Sequence, residues 1–290
     1  MIICVVGPTA VGKTKMSVEL AKIYNGEIIN ADSMQIYKGL DIGTAKVRRH
    51  EKNGIVHHLF DIREVSDDYS VYDYQQDARR KIADILSRKK VPIFVGGTGY
   101  YLKSALYDYI FTEEKESQDY SNLTDEEIYG KIQSYETGIA IEKNNRKRNV
   151  RLLEKLENNT FRTQDFKLIY DDVIFIGLTT DRNILYERID KRFDDMVIEL
   201  IDEVKPFYLN GIKSKAIMNG IGYKEFYPFF ENKKTLRECV NLSKQNSRNY
   251  AKRQYTWFQN QMDIKWFNVD YKDFSKTIME VATYIDTLKS

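Results

Sequence analysis

The chain has 290 residues, of which 42% are hydrophobic and 30% charged, a composition typical of a globular protein with a sizeable core. A net charge of +2 does not by itself indicate a nucleic-acid binder, and no run approaches the ~20 apolar residues of a membrane helix. The N-terminus reads as a buried strand and not as a secretory signal, and Cys4 and Cys239 form no C-x-x-C motif, so we expect a cytoplasmic protein with two reduced thiols.

The first motif is a phosphate-binding loop at the start of the chain. An apolar run, Ile2–Val6, leads into GPTAVGKT at Gly7–Thr14, which matches the pattern G-x-x-x-x-G-K-[ST]. An amphipathic helix is predicted directly after it, with Met16, Leu20, Ile23 and Tyr24 on its apolar face. Backbone N–H groups, the helix N-terminus, the lysine and the threonine would face phosphates and Mg²⁺. The candidate diphosphate-binding residues are Gly7, Pro8, Thr9, Ala10, Val11, Gly12, Lys13 and Thr14, with Thr14 also the metal ligand. The motif does not identify the polyphosphate.

Strands and helices alternate after this loop. Glu27–Ala31 is predicted as a buried strand that leads into a long polar and glycine-rich loop, Asp32–Lys46. An amphipathic helix is predicted over residues 74–86, followed by a buried strand at Val91–Val95. A second glycine-rich turn, Gly96–Gly99, then indicates close approach of the backbone to a ligand.

This alternation predicts an α/β fold with a P-loop NTPase-like (nucleotide-kinase-like) parallel sheet and helices on both faces. Ligands of such sheets bind beyond the carboxyl ends of the strands. The phosphate loop, Asp32 and Gly96–Thr98 all follow strand ends, so we expect them to share one site.

A helical insertion interrupts the core. From about Glu113 the chain becomes acidic and polar, and two helices, Asp125–Tyr135 and Asn145–Glu157, are predicted without a strand between them. We therefore divide the chain into a core, residues 1–112 and 169–290, with a helical C-terminal part, and an insertion, residues 113–168. After the insertion a strand is predicted at Val173–Leu178, and Asp181 is placed to cap a long helix. The apolar face of that helix comprises Leu185, Ile189, Phe193, Met196, Leu200 and Val204. The remainder is predicted to be helical.

Two charged residues of the core are candidates for chemistry. Asp32 ends a predicted strand beside the phosphate loop, where a carboxylate can act as a base or bind a metal-bound water, although an aspartate that caps a turn fits the position as well. Arg192 lies on the helix after the last strand and can reach a leaving phosphate, although helical arginines often face solvent. His57 and His58 are adjacent, which is not a metal-ligand spacing, so we interpret them as structural or loop residues.

Two basic clusters stand out in a chain that is nearly neutral overall. One is RKRNVR at Arg146–Arg151, inside the insertion. The other is a stripe of Lys244, Arg248 and Lys252 at helical spacing, close to Arg253, Tyr255 and Trp257. Basic stripes with aromatic neighbours suit an RNA backbone with unstacked bases, although solvated helix faces explain most such runs.

The motifs together resemble the tRNA dimethylallyltransferases (tRNA isopentenyltransferases). The resemblance covers most of the chain and is weakest over residues 112–144, and the lack of a C-terminal C-x-x-C…H-x-H element is similar to the bacterial form. The segments that carry it are GPTAVGKT (7–14), ADSMQIYKGLDIGTAK (31–46), HHLFDI (57–62), VGGTGYYLKSAL (95–106), NRKRNVRLLE (145–154), RNILYERIDKRFDDM (182–196), GIGYKEF (220–226) and AKRQYTWF (251–258).

This resemblance implies prenyl transfer from dimethylallyl diphosphate to the N6 amine of the adenosine immediately 3′ of the tRNA anticodon. The phosphate loop would hold the diphosphate with Mg²⁺ as the cofactor, Arg192 would contact the leaving group, Asp32 would accept the amine proton and Thr98 would help to place the base. The partners implied are tRNA and dimethylallyl diphosphate, and nothing requires a membrane or more than a monomer. The residues implied to contact tRNA are Asp32, Ser33, Met34, Gln35, Thr98, Lys147, Arg148, Asn149, Val150, Arg151, Gly222, Tyr223, Arg248, Lys252, Arg253, Gln254 and Trp257.

Three other functions remain compatible with parts of the sequence. The phosphate loop fits an ATP-dependent small-molecule or nucleoside kinase equally well. The same prenyl chemistry on a free adenine nucleotide would not need the basic stripe. A nucleotide-regulated RNA-binding protein without catalysis would not need Asp32.

Overall fold

The computed structural model describes residues 1–111, 119–135, 141–158 and 166–289. The chain divides into two compact units, one formed by Met1–Tyr107 with Leu168–Ser290 and the other by Asp108–Lys167. The insertion thus begins earlier than the residue 113 predicted from composition. The reason is that Tyr107 pairs with Leu168 in an antiparallel bridge, which closes the core before the polar segment starts.

The core unit is built on a parallel sheet. Among the described residues its strands are β1 (Ile2–Val6), β2 (Gly26–Asn30), β3 (His57–His58), β4 (Val91–Val95), β5 (Val173–Thr179) and β6 (Lys265–Asn268). They lie in the order β3-β2-β4-β1-β5-β6, and with the helices described below they confirm the predicted α/β class. The strands β1, β2 and β4 are buried almost throughout, as expected for strands covered on both faces.

Two edge strands were not predicted. His57 and His58 form β3 in parallel with β2, and His58 Nε2 lies 2.7 Å from a carboxylate oxygen of the buried Glu27. The strand β6 lies in the part of the chain that was predicted to be helical, and that prediction was wrong for Lys265–Asn268. Both strands are short and lack the continuous apolar run of the central strands, so their pairing depends on the neighbouring strand.

Helices cover both faces of the sheet. The first three are α1 (Lys13–Ile23), α2 (Val71–Ser87) and α3 (Gly99–Leu106). Successive side chains of β1 point to opposite faces, so Cys4 joins the core with α2 and α3, whereas Ile3 and Val5 join the core with α1. Of the apolar face predicted for α1, Met16 and Leu20 are buried but Ile23 is 51% exposed, because it is the last helical residue.

The insertion is a small helical unit with its own core. It contains α4 (Asp125–Gln133) and α5 (Arg146–Glu157), close to the predicted helices. Thr124 caps α4 with a capping box, and Asn145 caps α5. Its apolar core comprises Tyr120, Ile128, Ile132, Leu153 and Leu156. The first part of the acidic and polar stretch that begins at about Glu113, residues 113–118, lies outside the described residues.

The chain after β5 is largely helical. Asp181 caps α6 (Arg182–Leu209) by accepting the N–H groups of Asn183 and Ile184, and all six residues of its predicted apolar face are buried. The remaining helices are α7 (Lys215–Asn219), a 3-10 turn at Lys224–Phe226, α8 (Tyr227–Phe230), α9 (Leu236–Gln261) and α10 (Phe274–Thr287). Within the described ranges, no helix combines the length and apolar character needed to cross a membrane.

Candidate active site

The phosphate loop connects β1 to α1 at the carboxyl edge of the sheet. Gly7 has a φ of +138°, and a Cβ there would lie 2.5 Å from the carbonyl oxygen of Leu178, so only glycine fits. Gly12 is the N-cap of α1 with a φ of +106°, and no described side chain caps this helix. The first N–H groups of α1 are therefore left for an anion.

Thr9 is held from two sides. Its N–H donates to Gln254 Oε1 at 2.9 Å, and its hydroxyl accepts from Arg192 Nη2 at 3.0 Å. The Thr9 N–H thus points to α9 and not into the loop. Within the predicted set Gly7–Thr14, the N–H of Thr9 is therefore not available to a diphosphate, and Pro8 has none to offer.

Lys13 lies across the loop that precedes it. Its Nζ donates to the carbonyl oxygen of Pro8 at 2.8 Å. Burial lowers its pKa to about 8, opposed by the negative charge of Asp32 and supported by the positive charge of Arg192. A lysine that is costly to keep charged gains most from an anion that replaces its lost hydration.

Asp32 follows β2 on a short turn built by Asn30. The Asn30 side chain accepts the N–H of Asp32 at 2.9 Å and donates to its carbonyl oxygen at 3.0 Å. Asp32 Oδ1 in turn accepts the N–H of Met34 at 2.9 Å. Burial raises the pKa of Asp32, whereas this N–H and the charge of Lys13 act to lower it. The backbone of Gln35 also hydrogen-bonds this carboxylate, so the turn-capping interpretation is correct, and a carboxylate with several acceptor sites keeps capacity for a further proton or ligand.

Arg192 reaches from α6 to the same place. Burial lowers its pKa, opposed by the charge of Asp32, but an arginine stays protonated. Besides the bond to Thr9, its Nε is buried and has no hydrogen-bond partner among the described residues. A buried charged donor without an acceptor is expensive, so this Nε fits an anion at the phosphate loop.

The loop after Asp32 is joined to Thr98. The Thr98 hydroxyl accepts the N–H of Ser33 at 3.0 Å and donates to Ser33 Oγ at 3.3 Å. Further along the loop, Gln35 Nε2 donates to the carbonyl oxygen of Thr44 at 2.9 Å. Asp32, Ser33 and Thr98 therefore form one polar group at the ends of β2 and β4.

In the second glycine-rich turn, side chains at the glycine positions would collide with other parts of the protein. A Cβ on Gly96 would lie 2.1 Å from the carbonyl oxygen of Ala31, and one on Gly97 would lie 1.8 Å from Gln254 Nε2. On Gly99 it would lie 1.9 Å from the ring of Trp257. These three glycines thus allow close approach of the protein's own backbone and of α9.

Thr14 was predicted as a Mg²⁺ ligand. It lies in the first turn of α1, where its carbonyl oxygen accepts the hydroxyl of Ser17. The described residues hold no group of three or more His, Cys, Asp or Glu side chains that could bind a metal alone. Mg²⁺ keeps water and phosphate oxygens as most of its ligands, so one hydroxyl beside a diphosphate fits it.

Several residues predicted to contact tRNA are buried within their own unit. Tyr223 is fully buried, its hydroxyl donates to Glu203 at 2.6 Å, and its ring fills the space left by Gly43. The N–H of Gly222 donates to the buried carboxylate of Glu225. Tyr223 thus supports the Asp32–Lys46 loop, and both residues are buried.

Glu203 on α6 is the anchor of that loop. It accepts the N–H groups of Asp41, Ile42 and Gly43 in addition to the hydroxyl of Tyr223. Sequence reasoning did not single out Glu203, because an acidic residue on a long helix gives no local signal of what it binds.

The cationic stripe of α9 is partly neutralised by α6. Lys244 pairs with Asp194, and Nη1 of Arg248 donates to both carboxylate oxygens of Asp190, at 2.6 and 2.7 Å. The predicted cationic stripe is present on α9, but these two of its residues are ion-paired within the protein. The following residues, Lys252 and Arg253, are exposed on the helix, Trp257 is half-buried, and Gln254 is buried.

The basic cluster of the insertion lies on α5. Lys147, Arg148 and Arg151 are exposed, so their charges face solvent. Asn149, by contrast, is buried and donates to the carbonyl oxygen of Glu142, so it cannot also contact tRNA without leaving its core. Val150 is half-buried and packs against that core.

Two residues of α9 complete the polar group in a way that the sequence analysis did not find. The hydroxyl of Tyr250 hydrogen-bonds the side chains of Thr98 and Gln254. Burial, and next the charge of Asp32, raise the pKa of Tyr250 well above its usual value. The buried face of α9 runs through Cys239, Ser243, Ser247, Ala251, Gln254 and Phe258. That helical spacing is the signal that could have identified Gln254 as an inward-facing residue.

Comparison with known proteins assigns this site to a family. Residues 35–261 match the family described as IPPT: IPP transferase. The tRNA dimethylallyltransferase of Anoxybacillus flavithermus is 45% identical over 299 residues, covering 98% of this chain and 96% of its own. That of Bacillus pumilus is 44% identical over 301 residues, covering 98% and 95%.

Solved structures agree with this comparison. The full-length tRNA isopentenylpyrophosphate transferase of Bacillus halodurans matches with a TM-score of 0.78 at 40% identity, covering 99% of this chain and 95% of that one. A eukaryotic dimethylallyltransferase acting on tRNA matches with a TM-score of 0.83 at 29% identity, covering 97% and 77%.

Proposed function

The chain belongs to the IPP transferase family, the tRNA dimethylallyltransferases, and we propose that it prenylates the N6 amine of the adenosine immediately 3′ of the anticodon. The donor is dimethylallyl diphosphate and the second product is pyrophosphate. It is a tRNA-modifying prenyltransferase, and a cytoplasmic location is part of the proposal.

The observation that supports this chemistry most is the convergence of three charges on one site. Lys13 and Arg192 both hydrogen-bond the phosphate loop, at Pro8 and Thr9, beside a helix N-terminus with open N–H groups. The charge of Asp32 acts on the pKa of both cations. Two cations and the amides suit the departing diphosphate, and the carboxylate suits the incoming amine.

In the proposed reaction the allylic C–O bond breaks and its electron pair leaves with pyrophosphate. The lone pair of the adenine N6 forms the new C–N bond, and Asp32 takes the proton that the amine loses. Lys13, the Arg192 Nε and the α1 amides stabilise the charge on the leaving group. When bound through Thr14, Mg²⁺ supplies further neutralisation of the diphosphate.

An aromatic amine needs a base because its lone pair is delocalised into the ring. A positioned general base contributes about 10²–10⁴-fold to such a step. Thr98 shares hydrogen bonds with Ser33 beside Asp32, so it is placed to orient the adenine. The target base must leave the anticodon-loop stack at a cost of a few kcal/mol, which contacts from exposed cations such as Lys147, Arg148, Lys252 and Arg253 would offset.

A transfer assay tests the proposal. The protein is incubated with Mg²⁺ and labelled dimethylallyl diphosphate in the presence of unmodified tRNA, AMP or neither. We expect label on tRNA alone. Label on AMP would identify a nucleotide prenyltransferase, and phosphorylation of a small molecule by ATP without prenyl transfer would identify a kinase. Binding of tRNA without any prenyl transfer would identify an RNA-binding protein without catalysis.

A further inference from the structure

Gln254 joins two loops at the carboxyl edge of the sheet from inside α9. Its Oε1 accepts the N–H of Thr9 in the phosphate loop at 2.9 Å, and its Nε2 donates to the carbonyl oxygen of Gly97 at 3.1 Å. Only 4% of the residue is exposed. Both ends of the amide are thus used within the protein, which is not the arrangement of a residue that reads RNA at a surface.

The fit around this amide is tight. A Cβ on Gly97 would lie 1.8 Å from Gln254 Nε2, so the glycine is what admits the side chain. One turn further along α9, Trp257 occupies the space left by Gly99 in the same way. The helix therefore contacts the turn after β4 at two successive positions.

The contact to Thr9 continues to the leaving-group site. The hydroxyl of Thr9 accepts a hydrogen bond from Arg192 Nη2. Gln254 therefore fixes Thr9, and Thr9 in turn hydrogen-bonds the Arg192 guanidinium. Without an acceptor from α9, the Thr9 N–H would be free to turn, and the loop would have to be ordered each time that a diphosphate binds. Preorganisation of this kind favours affinity without a direct contact to the ligand.

We propose that Gln254 is a positioning residue for the phosphate loop, which acts on the diphosphate through Thr9 and Arg192 and not on tRNA. The inference rests on the proposed function, since it takes the loop to be the diphosphate site. Under this proposal α9 has two roles on opposite sides: it exposes Lys252 and Arg253 to solvent, and its buried side positions the diphosphate site through Gln254.

The test compares the affinities of Gln254→Met for two ligands separately. Methionine keeps the length of the side chain and loses its hydrogen bonds to Thr9, Gly97 and the Tyr250 hydroxyl. We expect the affinity for inorganic pyrophosphate with Mg²⁺, measured by calorimetry without tRNA, to fall by about tenfold. The affinity for tRNA, measured without pyrophosphate, should change by less than about twofold. The control is Gln245→Met on the exposed side of the same helix, which should change neither.

Gly97→Ala provides an independent route to the same state, because the added Cβ displaces the Gln254 amide without changing residue 254. The backbone of Gly97 is not in the left-handed region, so alanine adds no backbone strain, and the three atoms nearest the added Cβ all belong to the end of the Gln254 side chain. We expect a similar loss of pyrophosphate affinity, and no further loss when the two substitutions are combined. Gly97→Ala decides the matter if Gln254→Met does not fold.

Unchanged pyrophosphate binding with weakened tRNA binding would overturn the inference, as would additive losses in the double variant. Failure of the wild-type protein to bind pyrophosphate would instead contradict the proposed function.

Discussion

Replacement of Asp32 by asparagine removes the proposed base with the smallest change of shape. Asparagine keeps an oxygen that can accept the N–H of Met34, so the turn after β2 should survive. The loss of basicity should slow transfer by about 10²–10⁴-fold. The same substitution removes the negative charge that opposes the burial-lowered pKa of Lys13, so that pKa should fall further below about 8.

The assay must separate these two effects. Single-turnover transfer to saturating tRNA should therefore be measured at about pH 7, below the pKa of Lys13 in the wild-type protein, and together with pyrophosphate affinity. We expect the transfer rate to fall at least about 100-fold while tRNA affinity stays within about twofold. Asp263→Asn, an exposed aspartate, serves as the matched control. A transfer rate within about threefold of the wild type would refute the role of Asp32 as the base.

Three further predictions concern the loop, the helices and the insertion. Because burial lowers the pKa of Lys13 to about 8, the free protein should lose pyrophosphate affinity as the pH rises through about 8, by up to about tenfold per pH unit; a flat profile between about pH 6 and 10 would contradict this. Glu203→Ala leaves three loop N–H groups and a buried tyrosine hydroxyl without their acceptor and should lower the free energy of unfolding in urea by about 1–3 kcal/mol. Glu199→Ala, which breaks an exposed ion pair on the same helix, should lower it by at most about 1 kcal/mol, so equal losses would count against the anchor. Lys147→Ser with Arg148→Ser should reduce the slope of log affinity for tRNA against log salt by about one to two, and an unchanged slope would show that these cations do not contact phosphates.

The fold was largely predictable where apolar residues recur along one helix or strand at the spacing of that element. The apolar positions of α6 recur at helical spacing from Leu185 to Val204, and all of them are buried. The buried strands β1, β4 and β5 could be located because parallel strands covered on both faces are apolar at nearly every position. The strands β3 and β6 could not, since each is short and its existence depends on a partner far away in sequence.

The site was predictable in its composition and less so in its contacts. The phosphate loop, Asp32, Thr98 and Arg192 all follow strand ends or lie on the helix after one, and the sheet topology brings them together. What a side chain binds across the fold has no local pattern. Lys244 and Arg248 of α9 pair with aspartates of α6, a separate helix. Two cations of the stripe are therefore neutralised by residues that its own sequence does not indicate.

Resemblance alone was also a poor guide to burial. Gln254, Tyr223 and Asn149 lie in segments that identify the family, and the resemblance implied RNA contacts for all three. In the structure each is buried and hydrogen-bonded within its own unit. A segment that identifies a family can thus consist of buried residues that position the site, and need not contact the substrate.

The most direct test of the central claim is the identity of the product nucleoside. Unmodified tRNA is incubated with the protein, dimethylallyl diphosphate and Mg²⁺, digested to nucleosides and oligonucleotides, and analysed by mass spectrometry. We expect a single dimethylallyl group on the amino nitrogen of the adenosine immediately 3′ of the anticodon, with one pyrophosphate released for each group transferred. A prenyl group on any other base, or pyrophosphate release without a modified nucleoside, would contradict it.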